Sequence, residues 1–304
     1  MSDSAAARNK HRVGFSPARV WTLATATVTQ LVRMKILGFL LLFCILVVAM
    51  GFAFPSSDPT HQLKQLKDGS FAAMQIFSLV IAIVATALLL PRDLEDRTLY
   101  TILSKPVPRY EYLLGKLLGV LLLIGSGLLI MDLAFSAVLW LKQSLLVAQA
   151  SETFRQQNAD ASEALVQFKE MLAKQGLNWN LHLGVLAVFF KAAIVSALAL
   201  LISCFASSTL FTVIMAFLIT IIGHGHQLMR EYFLHPNFSA TAEKILSALL
   251  AIITPDLGAF DIIENVISGE AVPADALGLM LGVTALYLTA YMVVSHLLFV
   301  EKEL

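Results

Sequence analysis

The chain has 304 residues, of which 58% are hydrophobic and only 14% charged, and its mean hydropathy is +0.79. A soluble domain is about 45–50% apolar and about 25% charged, so this balance excludes an ordinary water-soluble protein. Basic and acidic residues number 21 each, so nothing favours a nucleic-acid partner or a basic membrane-surface protein. We therefore predict an all-α, polytopic integral membrane protein.

Residues 1–35 are predicted to form a cytoplasmic tail followed by an amphipathic connecting helix. Ser16 is a typical helix cap, and Pro17 suits the first helical position. The apolar face of this helix holds Trp21, Ala24, Val28 and Leu31. Such a helix can lie along the inner membrane surface, although a solvated lead-in to the first span would look similar.

Residues 36–304 are predicted to form one transmembrane domain with six spans. Each span approaches the ~20 apolar residues that cross the bilayer core as a helix. The predicted spans cover residues 36–54, 71–90, 117–141, 183–204, 210–229 and 276–300. Cys44 and Cys204 lie inside these runs, so we expect no disulfide framework. The first run follows a polar tail too long for a typical signal peptide, which favours a retained anchor.

Among the segments between the spans, three stand out: a charged connection over residues 92–116, an extracytoplasmic excursion over residues 142–182, and a broken stretch over residues 243–268. In the broken stretch, Pro255 stops an apolar run that is too short to cross. Two short re-entrant helices explain this pattern, because irregular backbone at membrane depth must be buried by other helices.

Charge asymmetry predicts that both termini lie in the cytoplasm. With that orientation twelve basic residues fall on the inner side and eight on the outer side, while Lys191 lies within a span. Four of the eight outer residues belong to the long excursion, and long loops count least in the positive-inside rule.

The chain lacks the recognisable motifs of an enzyme or metal site. Gly115-Lys116 has neither the upstream glycine nor the following hydroxyl residue of a phosphate-binding loop. His224 and His226 make only a weak metal motif, and Gly125-Ser126-Gly127 is typical of helix packing in membranes. We therefore predict no catalytic residue, no metal site and no cofactor bound by this chain.

Two ionisable residues, Asp132 and Lys191, fall inside predicted spans. Such residues normally face protein or a water-filled cavity and find partners. Counted from Lys116 and Cys204, they lie roughly 24 Å and roughly 20 Å along their helices. We hypothesise that they pair in the outer half of the membrane. Alternatively, Lys191 reaches the outer surface and Asp132 bonds a hydroxyl.

The charged connection has the pattern of a short helix followed by a turn. From Asp93 to Ser104 the acidic residues fall in the first turn, where they suit the helix dipole, and apolar residues recur at helical spacing. Pro106 forces Lys105 towards extended backbone, and Pro108 can start the next helix. The pattern predicts an amphipathic helix across the cytoplasmic face, joined at both ends to spans; a solvated linker is the alternative.

The stretch DLEDRTLYTILSKPVPRYEYLLGK resembles the signature of permease subunits of the second exporter class of ABC transporters. The matching positions, in order, are Thr98-Leu99, Ile102-Leu103-Ser104, Pro106-Val107, Arg109 and Gly115-Lys116. Arg97 stands where many members have glycine, which resembles an Arg-Thr subgroup. TPDLGAFDIIENVISGEAVP, residues 254–273, is similar to the segment that many members carry before the sixth span.

This resemblance implies the membrane-spanning permease subunit of an ATP-driven exporter in a bacterial inner membrane. The chain would not be an enzyme itself, because ATP and Mg would bind a separate ABC ATPase subunit. A second permease copy or paralogue and membrane lipid are the other expected partners. The implied ATPase-coupling residues are Asp93, Glu95, Asp96, Arg97, Thr98, Leu99, Ile102, Leu103, Pro106 and Arg109.

Two other classes of protein were weighed against the exporter subunit. A self-contained channel or secondary transporter would predict internal repeats and several charges inside the spans, and we find neither. An intramembrane enzyme would need a catalytic constellation. The substrate stays open among lipid, polysaccharide, peptide and a role in metalloenzyme maturation.

Overall fold

The computed structural model describes residues 15–33, 38, 42–43, 45–49, 58–95, 107–157, 161–206, 208–225 and 254–301. In this part of the chain all regular structure is helical and no strand occurs. The α-helices are α1 (Pro17–Val32), α2 (Pro59–Glu95), α3 (Arg109–Gln157), α4 (Ala161–Gln175), α5 (Trp179–Phe205), α6 (Thr209–His224), α7 (Ile263–Ser268) and α8 (Ala274–Glu301). A 3₁₀ turn, Gly258–Phe260, precedes α7. The prediction of an all-α protein is confirmed for these residues.

Helix α5 is the centre of the bundle. It packs against α2, α3, α6, α7 and α8, and most of its side chains are buried. Its middle is rich in alanine, including Ala192, Ala193 and Ala197. Small side chains let helices approach closely in a membrane, where packing replaces the hydrophobic effect as the main attraction. The sequence of α5 therefore explains its central position.

Four helical stretches of the described residues are long and apolar enough to cross a bilayer: Pro59–Pro91, Arg109–Thr153, Leu165–Phe205 and Ala274–Val300. They contain the second, third, fourth and sixth predicted spans. The fifth corresponds to the shorter apolar helix Thr209–His224. The first predicted span, residues 36–54, lies mostly outside the described residues. Of the predicted re-entrant pair, only the turn and α7 fall within them.

Helix α2 continues through Pro91 to Glu95 without a break. The prediction that Asp93 begins a new helix was therefore wrong, because Asp93 belongs to the last described turn of α2. Proline is tolerated inside a membrane helix when neighbouring groups satisfy the freed backbone, so Pro91 was a weaker stop signal than it looked.

Helix α1 confirms the predicted helix after Ser16, but its buried face differs from the predicted one. Ala24 and Leu31 are buried as expected, together with Val20 and Thr27, whereas Trp21 is exposed. The Ser16 side chain makes no capping bond; its backbone N–H instead donates to Glu111 Oε1 at 2.8 Å. The buried face is set by packing against α3, which shifts it away from the most apolar stripe.

Two glycines bring α1 and α3 into close, parallel contact. A Cβ atom on Gly115 would lie 2.5 Å from Leu23 Cβ, and one on Gly119 would lie 2.6 Å from Thr27 Cβ and 2.8 Å from the Ala24 carbonyl oxygen. Both helices advance four residues between the two contacts, so they run in the same direction. The Gly-x-x-x-Gly spacing is the sequence signal for such a contact.

In the excursion predicted over residues 142–182, all described residues except 176–178 are helical. Helix α3 extends through it to Gln157, and α4 then leads back to the start of α5. At its base Lys67 of α2 is buried and donates to Gln175 Oε1 at 2.9 Å and to the Ile267 carbonyl oxygen at 2.6 Å. We call this group of three residues the Lys67 latch. It joins α2, α4 and α7.

Candidate functional site

The candidate site lies at the end of the bundle that holds the C-terminal end of α2, at Glu95, and the N-terminal end of α3, at Arg109. Asp93 is buried there, and its Oδ2 atom lies 2.6 Å from Lys116 Nζ. Tyr112 donates its hydroxyl to the same oxygen at 2.6 Å. Gln30 of α1 completes the network, accepting from Lys116 at 3.2 Å and donating to Asp93 Oδ1 at 3.4 Å. The network holds α1, α2 and α3 together about 39 Å along α2 from the Lys67 latch.

A second ion pair joins α1 to α3 at the same end. Arg19 donates through Nε to Glu111 Oε2 at 2.6 Å and through Nη2 to Glu111 Oε1 at 2.8 Å. This two-point geometry is the stronger form of an arginine–carboxylate contact. The hydrogen bond to Glu111 raises the pKa of Arg19 above its ordinary value. We call Arg19, Gln30, Asp93, Glu111, Tyr112 and Lys116 the charged cluster.

Arg109 attaches the last helix to this end. Its Nη1 group donates to the carbonyl oxygens of Phe299 at 2.9 Å and Val300 at 2.8 Å, near the end of α8. Its guanidinium also lies over the Phe299 ring, 5.9 Å from the centroid, and that ring stacks on Tyr112. A cation near carbonyls at a helix C-terminus is electrostatically favourable. As a result α8 is fixed to the charged cluster through Arg109 and Phe299.

The charged cluster fixes both ends of the connection that sequence analysis singled out. Of the predicted coupling residues, Asp93 and Arg109 lie in the described part, and both contact the chain itself. Glu95 ends α2. The remaining predicted residues lie outside the described residues: Asp96, Arg97, Thr98, Leu99, Ile102, Leu103 and Pro106. Five residues of the charged cluster were not among the predicted site residues: Arg19, Gln30, Glu111, Tyr112 and Lys116. Their polar character within or beside apolar stretches was the available signal.

The structure does not bring Asp132 and Lys191 together. His182 donates through Nδ1 to Asp132 Oδ2 at 2.7 Å, while Lys191 Nζ lies 3.8 Å from Asp261 Oδ1. The hypothesis of an Asp132–Lys191 pair is corrected accordingly. Lys191 is buried, so it does not reach the outer surface as the alternative required.

The error in that hypothesis came from the starting points of the count. Asp132 is level with His182, which it contacts, and not with Lys191. Lys191 comes nine residues after His182, which is roughly 14 Å farther along α5. The ends of the two helices from which the depths were counted are therefore not level with each other. No sequence pattern fixes how far two helices slide past each other.

The histidine motif considered for a metal gives no support to that reading in the described residues. His224 Nδ1 donates to the Thr220 carbonyl oxygen at 2.9 Å, and His226 lies outside the described residues. In the described part no three histidine, cysteine, aspartate or glutamate side chains are grouped as metal ligands would be.

The apolar helices and the network at one end define a multi-pass helical membrane protein. Comparison with known families gives a more specific class: the family described as "ABC-2 family transporter protein" matches residues 53–304. The match covers most of the chain, so the chain belongs to this family, whose members are permease-type subunits of ABC transporters without a nucleotide-binding domain of their own. Among curated proteins none matches the chain. The Arg-Thr subgroup remains a prediction.

Proposed function

We propose that this chain is the permease subunit of an ABC exporter and that residues 92–116 couple it to a separate ATPase. The charged cluster is the observation that carries the proposal. Its buried Asp93–Lys116 pair joins the end of α2 to the start of α3. A force that the ATPase exerts on residues 96–106 would therefore move α2 and α3 together and would not separate them. Because the cluster also includes α1 and contacts α8 through Arg109, the same push reaches four helices.

The connection over residues 92–116 contains both apolar and charged residues, as a segment that docks onto another protein would need. Leu99, Ile102 and Leu103 recur at helical spacing and would form the apolar contact, while Glu95, Asp96 and Arg97 would set registry with the ATPase. Apolar anchors usually carry affinity, and rim charges tune association. Asp93 takes a different part from the one predicted: its buried carboxylate positions the connection rather than touching a partner.

The orientation in the membrane follows from the same assignment. If the ATPase binds residues 92–116, the charged cluster lies on the cytoplasmic side and the Lys67 latch on the outer side. Two copies of the chain, or one copy and a paralogue, would assemble with ATPase subunits in a bacterial inner membrane. Six spans with both termini inside fit this arrangement.

Two single substitutions test the coupling assignment. Leu99→Asp and Ile102→Asp should each abolish copurification of the partner ABC ATPase, because a buried carboxylate would oppose the apolar contact. The matched control is Leu177→Asp, at an exposed position between α4 and α5 near the other end of the bundle. Copurification is measured from detergent extracts, and membrane insertion is checked by the yield of monodisperse protein.

Normal ATPase copurification with both aspartate variants would overturn the coupling assignment. Loss of copurification with Leu177→Asp as well would mean that the assay reports general misfolding. A preparation that retains its ATPase can then be used to ask which candidate substrates stimulate ATP hydrolysis.

A further inference from the structure

A groove of about 540 Å³ runs between α3 and α8 and is not used by the proposed coupling. Its walls are almost entirely apolar and include Leu114, Leu118, Leu121 and Met292. This volume lies within the roughly 300–1,000 Å³ typical of small-molecule sites. Both walls belong to helices that are long enough and apolar enough to span a membrane, so lipid of the bilayer can reach the groove.

The length of the groove matches one leaflet of a bilayer. Along α3 its lining runs from Tyr110 to Leu121, and along α8 from Leu288 to Leu297. At the rise of an α-helix these stretches are roughly 17 Å and roughly 14 Å long. Half of a hydrocarbon core about 30 Å thick is about 15 Å. An acyl chain that enters at the level of the lipid headgroups would therefore fill the groove lengthwise.

The polar groups of the groove gather at one end. Tyr110 and His296 meet there edge to face, with ring centroids 6.0 Å apart, and the buried Nδ1 atom of His296 has no hydrogen-bond partner among the described residues. Thr289, farther along, already donates to the Ala285 carbonyl oxygen. The site is thus apolar for most of its length and polar at the Arg109 end, which is the polarity of a lipid.

Arg109 has no partner carboxylate among the side chains that the structure describes. At the same end Arg19 is paired with Glu111 and Lys116 with Asp93. The bonds of Arg109 within this part of the chain go to the carbonyl oxygens of Phe299 and Val300 in α8. An anionic headgroup complements a guanidinium in both charge and geometry.

We propose that the groove binds one anionic phospholipid of the bilayer, with an acyl chain between α3 and α8 and its phosphate at Arg109. The assignment to the cytoplasmic leaflet rests on the proposed orientation of the chain, whereas the site itself does not. A resident lipid would seal the space between the last helix and α3 while allowing the two helices to move.

The test is lipid retention by the full-length chain, measured by native mass spectrometry after delipidation and re-addition of phosphatidylglycerol or phosphatidylcholine. Wild-type protein should retain one phosphatidylglycerol in preference to phosphatidylcholine. Val293→Trp places a large ring at the edge of the groove and should weaken retention on the order of tenfold. The neighbouring Val294→Trp is the matched control, because Val294 is also exposed but does not line the groove.

Two further variants separate the headgroup from the chain. Arg109→Gln should remove the preference for phosphatidylglycerol, and Arg109→Lys should keep most of it. Equal retention by the two tryptophan variants would overturn the proposal. A loss of dimer with Val293→Trp at unchanged lipid retention would assign the groove to a second copy of the chain and overturn it too. ATPase copurification from the same preparations reports on the proposed function separately.

Discussion

Asp93 and Lys116 form an ion pair that is withdrawn from water at the end of an apolar bundle. Taking two charges out of water costs several kcal/mol per ion, and only close contacts offset that cost. Here the carboxylate accepts from both the Lys116 ammonium and the Tyr112 hydroxyl at 2.6 Å. The geometry explains why a membrane helix carries an acidic residue two positions after Pro91.

Removing one member of this pair should destabilise the protein much more than removing both. Lys116→Met removes the ammonium group that lies 2.6 Å from the buried Asp93 carboxylate, at a cost of roughly 3–5 kcal/mol. The double variant Asp93→Asn/Lys116→Met should recover part of this loss. Thermal unfolding of detergent-solubilised protein measures both, with Lys169→Met at an exposed position of α4 as control. If Lys116→Met unfolds no earlier than Lys169→Met, the pair does not stabilise the cluster.

At the scale of the elements, the close contact of α1 with α3 depends on two positions without a Cβ atom. The backbone carbonyl of Ala24 lies where the side chain of any larger residue at position 119 would begin. A backbone atom cannot rotate away as a flexible side chain can, so a larger residue must move a helix.

Gly119→Ala should therefore push α1 away from α3 and destabilise the protein by roughly 1–3 kcal/mol. The matched control is Gly282→Ala in α8, where an added Cβ atom would meet nothing within 4 Å. That control should be neutral or stabilising by up to about 1 kcal/mol, because alanine favours helix. The measurement is the apparent unfolding midpoint of each variant, which should be lower for Gly119→Ala than for Gly282→Ala. Equal midpoints would contradict the close contact of α1 with α3.

The elements were more predictable from sequence than their partners. Apolar runs located α2, α3, α5 and α8, because hydrophobic length alone decides where a helix can cross. The predicted end of α2 was wrong because Pro91 was taken as a stop signal, whereas the helix continues to Glu95. A proline is tolerated inside a helix when neighbouring groups bond the freed backbone carbonyl, and those groups cannot be identified before the fold is known. The partners of Asp132 and Lys191 depended on the axial offset of α3 and α5. That offset is set by packing along the whole interface, which no local pattern encodes.

Across the whole molecule, the Lys67 latch joins segments that are distant in sequence. Lys67 Nζ bonds Gln175 and the carbonyl of Ile267 at the end opposite the charged cluster. Just after Ile267, Gly269 adopts φ +85°, a conformation that favours glycine, and closes α7. The latch thus sets where α4 and the segment before α8 meet α2.

Lys67→Met should loosen this end without affecting the other. It leaves the Ile267 carbonyl oxygen buried without its donor, at a cost of about 1–3 kcal/mol. Hydrogen exchange should accelerate in residues 161–175 and 263–269 and stay unchanged in residues 109–120. Lys64→Met, one turn earlier and exposed, is the control. Uniform acceleration over all these ranges would mean that the substitution lowers global stability and that the latch is not local.

Helix α3 has a mechanical consequence for a protein of this kind. It is 49 residues long, which is about 73 Å, while the hydrocarbon it crosses is only about 30 Å thick. Its first turns are held by Arg19, Asp93 and the end of α8. A rigid-body tilt of about 5° about that end would move the far tip through roughly 6 Å. A small tilt at one membrane surface would therefore become a larger displacement beyond the other.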